Sequence, residues 1–490
     1  MSDKKNIKEE LFIYSIISFY IFLFFVLLFN NIINYNNNKN KIIKLGDILT
    51  SDKVVVGKNI KGYVYYIESN SIKNETEVNK FIHKHFKDYK IQNIYNNKCK
   101  FFLLGKKIHE INEDLPSGVI LRRETFRYYP YGEIFAHPVG VWEENLSFGL
   151  ENYNYKINKN LPVNEIKPVK TSLIFSLQYY LYEGMKKGMS TYNSEKIHGI
   201  IQNEKGEIVA LVSLPNFNPN NHKNIINTNN GVVNNIFEFG STIKVFSFLC
   251  GLDKNLINEK TQFNLSEGGR IGNHKISDVR KNSGYMTVED IFTKSSNIGT
   301  IQMSELIWNH IGDFFNNLLL GEKIEFENYS TPTPYLKTHN QKKHVLQHFS
   351  IGYSFSTGML QVLRAFACIF TGNLYNPSII KTPNNKSSFI RSFPINNKHL
   401  MLKMLLRNSE TNPVLKKNHV YGKTGTARVI IKGTYIVNLV NTFYLCSFTK
   451  NNERYFMLLI MEKPRKGPFE ASGNVKHIAA KIIANIVKSN

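Results

Sequence analysis

The sequence predicts an α+β protein whose main domain is one antiparallel sheet covered by helices. Three observations carry that prediction. First, "KIHGIIQNEKGEIVALVSLP" (Lys196–Pro215) reads as strand, Asn-Glu-Lys-Gly turn, strand. Second, three further strand-like runs, "VYGKTGTARVII", "NTFYLCSF" and "RYFMLLIME", follow near the C-terminus, joined by the turns "KGT" and "TKNNE". Third, the stretch between is mostly helix and loop, and "VKHIAAKIIANIV" closes the chain as a last helix. A sheet assembled from both ends of a domain, with helices layered on it, satisfies all three.

One helix should lie at the centre. In "FEFGSTIKVFSFLCGLD" (Phe237–Asp253), Val245, Phe248, Leu249 and Leu252 follow an i, i+3, i+4, i+7 stripe, which faces a core. Upstream, "SLQYYLYEGMKKGM" reads as an amphipathic helix soon after Pro168. Earlier still, from Val54 to about Leu104, β-rich runs such as "GYVYYIES" alternate with a helical "EVNKFIHKHFKDY". "RYYPYGEIFAHPVGVW" (Arg127–Trp142) is aromatic and turn-containing. The chain therefore divides into a domain at 46–165 and a larger one at 166–490.

The N-terminus is of another kind. "LFIYSIISFYIFLFFVLLF" (Leu11–Phe29) is 19 residues without a charge, long enough to cross a hydrocarbon core. No small-residue cleavage site follows it, so a membrane anchor is expected over a signal peptide. Residues 1–10 form a short polar tail, and 30–45 an Asn/Lys-rich linker. Lysines flank both ends, so charge orients the span poorly.

At 490 residues the chain suits two or more domains, and 42% hydrophobic content supports a real core. The formal charge of +24 invites a nucleic-acid reading. The lysines, however, are spread through an Asn/Ile/Lys-rich chain and form no stripe, so no nucleic acid is expected. Cys99, Cys250, Cys368 and Cys446 are far apart and lack metal spacing. Three of them lie in apolar runs, as buried free thiols do.

Three short motifs carry chemistry. Ser241 and Lys244 share a helix face if a helix begins near Gly240. That pair alone means little, because Ser2 and Lys5 have the same spacing in the polar tail. "KSSNIGT" supplies Ser295 and Asn297, and the first C-terminal strand supplies Lys423, Thr424, Gly425 and Thr426. The order, with gaps of 54 and 128 residues between Ser241, Ser295 and Lys423, is far more specific than any one motif.

This combination resembles the penicillin-binding protein transpeptidases, whose S-x-x-K, S-x-N and K-T-G set is shared with serine β-lactamases. "EFGSTIKVF", "TKSSNIGTIQMS", "GEIVALVSLPNFNPN" and "IGYSFSTGMLQVLRAFACIFTGN" (Ile351–Asn373) are similar to family stretches, the last with Met359 where the family has proline. "RYYPYGEIFAHPVG" and Gly149-Leu-Glu151 look like the end of the non-catalytic pedestal of class B members. No glycosyltransferase module fits before residue 168, and "YGKTGTARVIIKG" with "LLIMEKPRKGP" looks most like the division type. Two departures stand out. "LGDILTSDKVVVGKNI" barely resembles the family's opening Arg-Gly signature, and Ile174 occupies the place of an Asp in "SLIFSLQ".

A serine hydroxyl needs a base to become a nucleophile. Lys244, desolvated near Phe246 and Phe248 and repelled by Lys423, would be neutral enough to serve Ser241. The helix N-terminus favours the negative charge that develops there. The resemblance implies an oxyanion hole from the backbone N–H groups of Ser241 and Thr426. Gly425 would leave the strand edge open to an extended substrate. Thr424 and Thr426, with Lys423, suit a terminal carboxylate. Ser295 would pass a proton to the leaving amine, and Asn297 would hold the acyl side chain and Lys244.

The implied reaction is peptidoglycan D,D-transpeptidation on stem peptides, with β-lactams as covalent mimics and neither metal nor cofactor. The implied setting is the bacterial inner membrane, with the catalytic domain outside and a polytopic glycan polymerase and division proteins as partners. The elongation type, a β-lactamase or β-lactam sensor, and an idle scaffold are the alternatives.

Overall fold

The computed structural model describes residues 44–87, 101–143, 146–221, 227–279, 281–327, 329, 331–381 and 388–489. The tail, the span expected at Leu11–Phe29, most of the linker and Cys99 lie outside them. Among the described residues, no helix is long and apolar enough to cross a membrane. Two compact units emerge, one containing Asn59–Phe126 and the other Leu45–Lys58 with 127–490. Packing thus groups Leu45–Lys58 and residues 127–165 with the larger unit, whereas the sequence reading places all of 46–165 in one pedestal.

In the smaller unit, the later part of the strand Val55–Glu68 pairs antiparallel with Phe101–Lys107. The helix Glu75–His85 begins at Asn74, whose Oδ1 accepts from the amides of Thr76 and Glu77 and so caps two orphan donors. Its Val78, Phe81 and Ile82 pack on Tyr65, Ile67 and Leu104.

The larger unit is built on the sheet expected from the sequence. Its strands are β1 (Lys196–Asn203), β2 (Ile208–Leu214), β3 (Tyr421–Ile431), β4 (Thr434–Lys450) and β5 (Glu453–Glu462). Their spatial order is β3-β4-β5-β1-β2, antiparallel throughout. Two tight turns fix the register of the C-terminal trio. Lys432–Gly433 and Asn451–Asn452 all have positive φ, the geometry that matches the twist of two-residue hairpins.

Alternation along β5 divides the core in two. Met457, Leu459 and Met461 face one layer, made by α1 (Phe175–Tyr192) and the closing helix Val475–Lys488. Phe456, Leu458 and Ile460 face the other, which holds α2 (Lys244–Asp253). Every residue of α2 from Lys244 to Leu252 is buried. A helix enclosed on all sides is the centre of its domain.

Two local solutions bear on the departures in sequence. Ile174 at the N-cap of α1 offers no acceptor, and the Asp52 carboxylate, from a distant segment, accepts from Phe175 N at 3.2 Å instead. Glu151 is fully buried with Arg127, whose Nε donates to Glu151 Oε1 at 2.6 Å and whose Nη2 donates to Gly46 O at 3.0 Å. Burial pushes the Glu151 carboxyl up, against the pull of Arg127.

Candidate active site

Ser241 sits in a single 3₁₀ turn, Gly240–Thr242, that runs directly into α2. The turn is tight because β3 lies against it. Gly240 has φ +50°, and a Cβ there would stand 2.7 Å from Thr426 O. A Cβ on Gly425 would likewise meet Phe239 O at 2.7 Å. Only glycine on both sides lets the edge strand approach the turn that bears Ser241. Ser241 itself is partly exposed, at the start of an otherwise buried helix.

One helical turn on, Lys244 is wholly buried. Its ammonium donates to Ser295 O at 2.8 Å, Ser296 O at 3.1 Å and Asn297 Oδ1 at 2.8 Å. Burial, then the Lys423 charge, holds Lys244 well below the usual lysine range, while Asp278 opposes the shift.

Lys423 is also wholly buried and points from β3 to the same place. Its Nζ donates to Ser295 Oγ at 2.9 Å and to Thr424 O at 3.2 Å, and lies over the Phe292 ring. Desolvation brings it down to about 7, helped by the charge of Lys476. Ser295 thus meets one lysine through its carbonyl and the other through its hydroxyl. To do so it takes a left-handed backbone, φ +58°, rare for a residue with a side chain.

The remaining residues fall around this set. Thr426 Oγ1 accepts from Ala471 N at 3.2 Å, which leaves its own proton free to donate toward a ligand. Thr424 and Gly425 lie on β3, which among the described residues is an edge strand of its sheet. Sequence reasoning missed Asp278. Its Oδ1 accepts from Asn297 N at 2.5 Å and Ile298 N at 2.9 Å, and Oδ2 from the Ser296 hydroxyl at 2.7 Å. It therefore holds the entry of helix α3 (Asn297–Asn317), where Ser296 is the N-cap. Cys250, Cys368 and Cys446 are buried and free. Among the described residues no group of His, Cys, Asp or Glu is placed to hold a metal.

The penicillin binding protein transpeptidase domain matches residues 198–488, more than half of the sequence. The chain belongs to that family. It is a class B penicillin-binding protein, and its relatives include division-type members. Peptidoglycan D,D-transpeptidase FtsI of Buchnera aphidicola subsp. Schizaphis graminum is 27% identical over 441 residues, covering 80% of this chain and 76% of the relative. The protein of the same name from Escherichia coli K12 is 22% identical over 435 residues, covering 80% and 73%. The crystal structure of Penicillin Binding Protein 2X from Streptococcus thermophilus superposes with a TM-score of 0.68 at 18% identity, over 91% of this chain and 79% of that one. That likeness establishes the transpeptidase fold.

Proposed function

We infer that this class B penicillin-binding protein is a peptidoglycan D,D-transpeptidase that crosslinks stem peptides during septal wall synthesis. The observation that carries the reading is the chain of contacts from Lys423 through Ser295 to Lys244, set beside the turn that bears Ser241.

An ammonium on Lys244 fills all three of its acceptors. A neutral amine has only two hydrogens, so one contact is given up and a lone pair is freed for the hydroxyl one turn back. Lys244 takes the Ser241 proton as Oγ attacks the carbonyl of the penultimate D-Ala. The developing oxyanion lies between the amides of Ser241 and Thr426. Ser295, held by Lys423, hands a proton to the departing D-Ala amine. The Ser241 ester is then taken by an amine of a neighbouring stem. Lys423, Thr424 and Thr426 hold the terminal carboxylate, Gly425 admits the peptide to the strand edge, and Asn297 steadies the acyl side chain. A β-lactam enters by the same path and stays as the ester.

The segment Leu11–Phe29 anchors the chain by one span in the inner membrane, between a cytoplasmic tail at 1–10 and a linker at 30–45. The transpeptidase domain at 166–490 lies outside, as does the non-catalytic domain read at 46–165, of which Asn59–Phe126 packs as a unit of its own. A polytopic glycan polymerase and other division proteins are its partners there.

The test is labelling of the full chain, in detergent, by a fluorescent penicillin. Covalent label on the native chain and none on Ser241→Ala is expected. A folded native chain that resists label at every pH from about 6 to about 9, the range in which a lowered lysine changes charge, would overturn the reading.

A further inference from the structure

A third lysine is buried behind the site. Lys476 is 4% exposed, in the first turn of the closing helix α4 (Val475–Lys488). A helix N-terminus disfavours a cation, and among the described residues no carboxylate pairs with it. Its Nζ instead donates to Asn408 O and to Thr411 Oγ1, each at 2.8 Å. Asn408 lies near the end of the helix Lys398–Ser409, and its Nδ2 donates to Thr293 O at 3.1 Å, two residues before Ser295. A hydrogen-bonded path therefore leads from Lys476 to the segment that carries Ser295.

We propose that Lys476 is a positioning residue for acyl transfer: through Asn408 it anchors the approach to Ser295, and it sets a third cation behind Lys423. The inference rests on Ser241 being the nucleophile.

The groups facing Lys476 are few. The Cys446 thiol comes from β4 and the Lys423 ammonium from β3. The short helix Pro413–Lys417 turns Leu415 inward and leaves its lysines exposed, and α1 contributes apolar side chains. Lys423 in turn faces Lys244, whose charge Asp278 favours. Burial brings Lys476 down to about 8, so it is largely charged at neutral pH.

A like charge makes Lys423 release its proton more readily. A neutral Lys423 no longer attracts a substrate carboxylate, so acylation falls off on the alkaline side at a lower pH than it would without Lys476.

The experiment is the pH profile of penicillin acylation of the full chain for the native protein, Lys476→Met, Lys476→Arg and Thr411→Asp. Lys476→Met removes the charge, and Thr411→Asp pairs it at an exposed position with the core untouched. Both should move the alkaline limb up by about half to one pH unit, the size of one like charge in a partly screened interior. Lys476→Arg should leave it in place. An alkaline limb that stays at its native position in Thr411→Asp overturns the proposal, even if Lys476→Met fails to fold. An unlabelled native chain would instead show that the transpeptidase reading had failed.

Discussion

The Lys423 ammonium lies 2.9 Å from the hydroxyl of Ser295, whose carbonyl in turn accepts from Lys244 at 2.8 Å. One serine, strained into a left-handed backbone, joins two buried lysines that belong to a strand and to a helix. Strain of that kind persists where surrounding contacts over-determine it.

Replacing Ser295 by glycine separates the two consequences. Glycine takes φ +58° without steric cost. That relief offsets part of the loss of the hydrogen bond from buried Lys423, so the variant should stay folded with a midpoint slightly below the native one. The hydroxyl proposed as proton carrier is lost, so penicillin acylation should drop about 10²- to 10⁴-fold. Thermal unfolding and acylation rate, measured on the same preparation, check both halves. Native acylation in Ser295→Gly would remove Ser295 from the reaction.

Lys423 makes stability depend on pH. Its folded-state value of about 7 lies below that of the unfolded chain, near 10.4. Between the two, the unfolded chain binds the proton and the native one does not, so stability rises with pH across that window. Below about 7 both states are charged and the full penalty of burying the ammonium remains. Lys423→Met, which has no such group, should show a flatter profile. Relative to it, the native chain should gain up to about 3–4 kcal/mol from pH 7 to pH 10, read from denaturant unfolding at several pH values. Parallel profiles would contradict a depressed Lys423.

Asp278 offers a third test. Asp278→Ala leaves the amides of Asn297 and Ile298 without their acceptor and should cost about 1–3 kcal/mol, with slower acylation because Asn297 no longer holds Lys244 firmly. Asp278→Asn keeps an acceptor but removes the charge that favours Lys244 protonation. That variant should remain close to native in stability and extend acylation to lower pH. Identical pH profiles for Asp278→Asn and the native chain would confine Asp278 to a structural role.

The ordered motifs and the split sheet were legible because each leaves a local mark. Alternation along "RYFMLLIME", the apolar stripe after Lys244, and glycine or asparagine at turns are consequences of burial and backbone geometry that any window of sequence exposes. The helix that carries Ser241 was expected to start there, and it does so through one 3₁₀ turn before the α-helix at Lys244. What stayed hidden depends on long-range contact. Asp278 lies on a loop with no periodicity, and its worth comes from three groups 18 to 20 residues away. Lys476 reads as an ordinary polar residue at a helix start, and only packing reveals it as buried. The cap from Asp52 to Phe175 crosses 123 residues, so the missing acceptor at Ile174 could be noticed but not its replacement.

The order β3-β4-β5-β1-β2 has a further consequence for how the protein is made. Ser241 and Ser295 leave the ribosome well before Lys423, and β3 can join β1 only through β4 and β5, so the strand carrying Lys423 waits for residues up to Glu462. Pairings this distant close late in folding. The turn that bears Ser241 is therefore made long before the strand that carries Lys423 can take its place, and the arrangement that joins them is among the last parts of the fold to form.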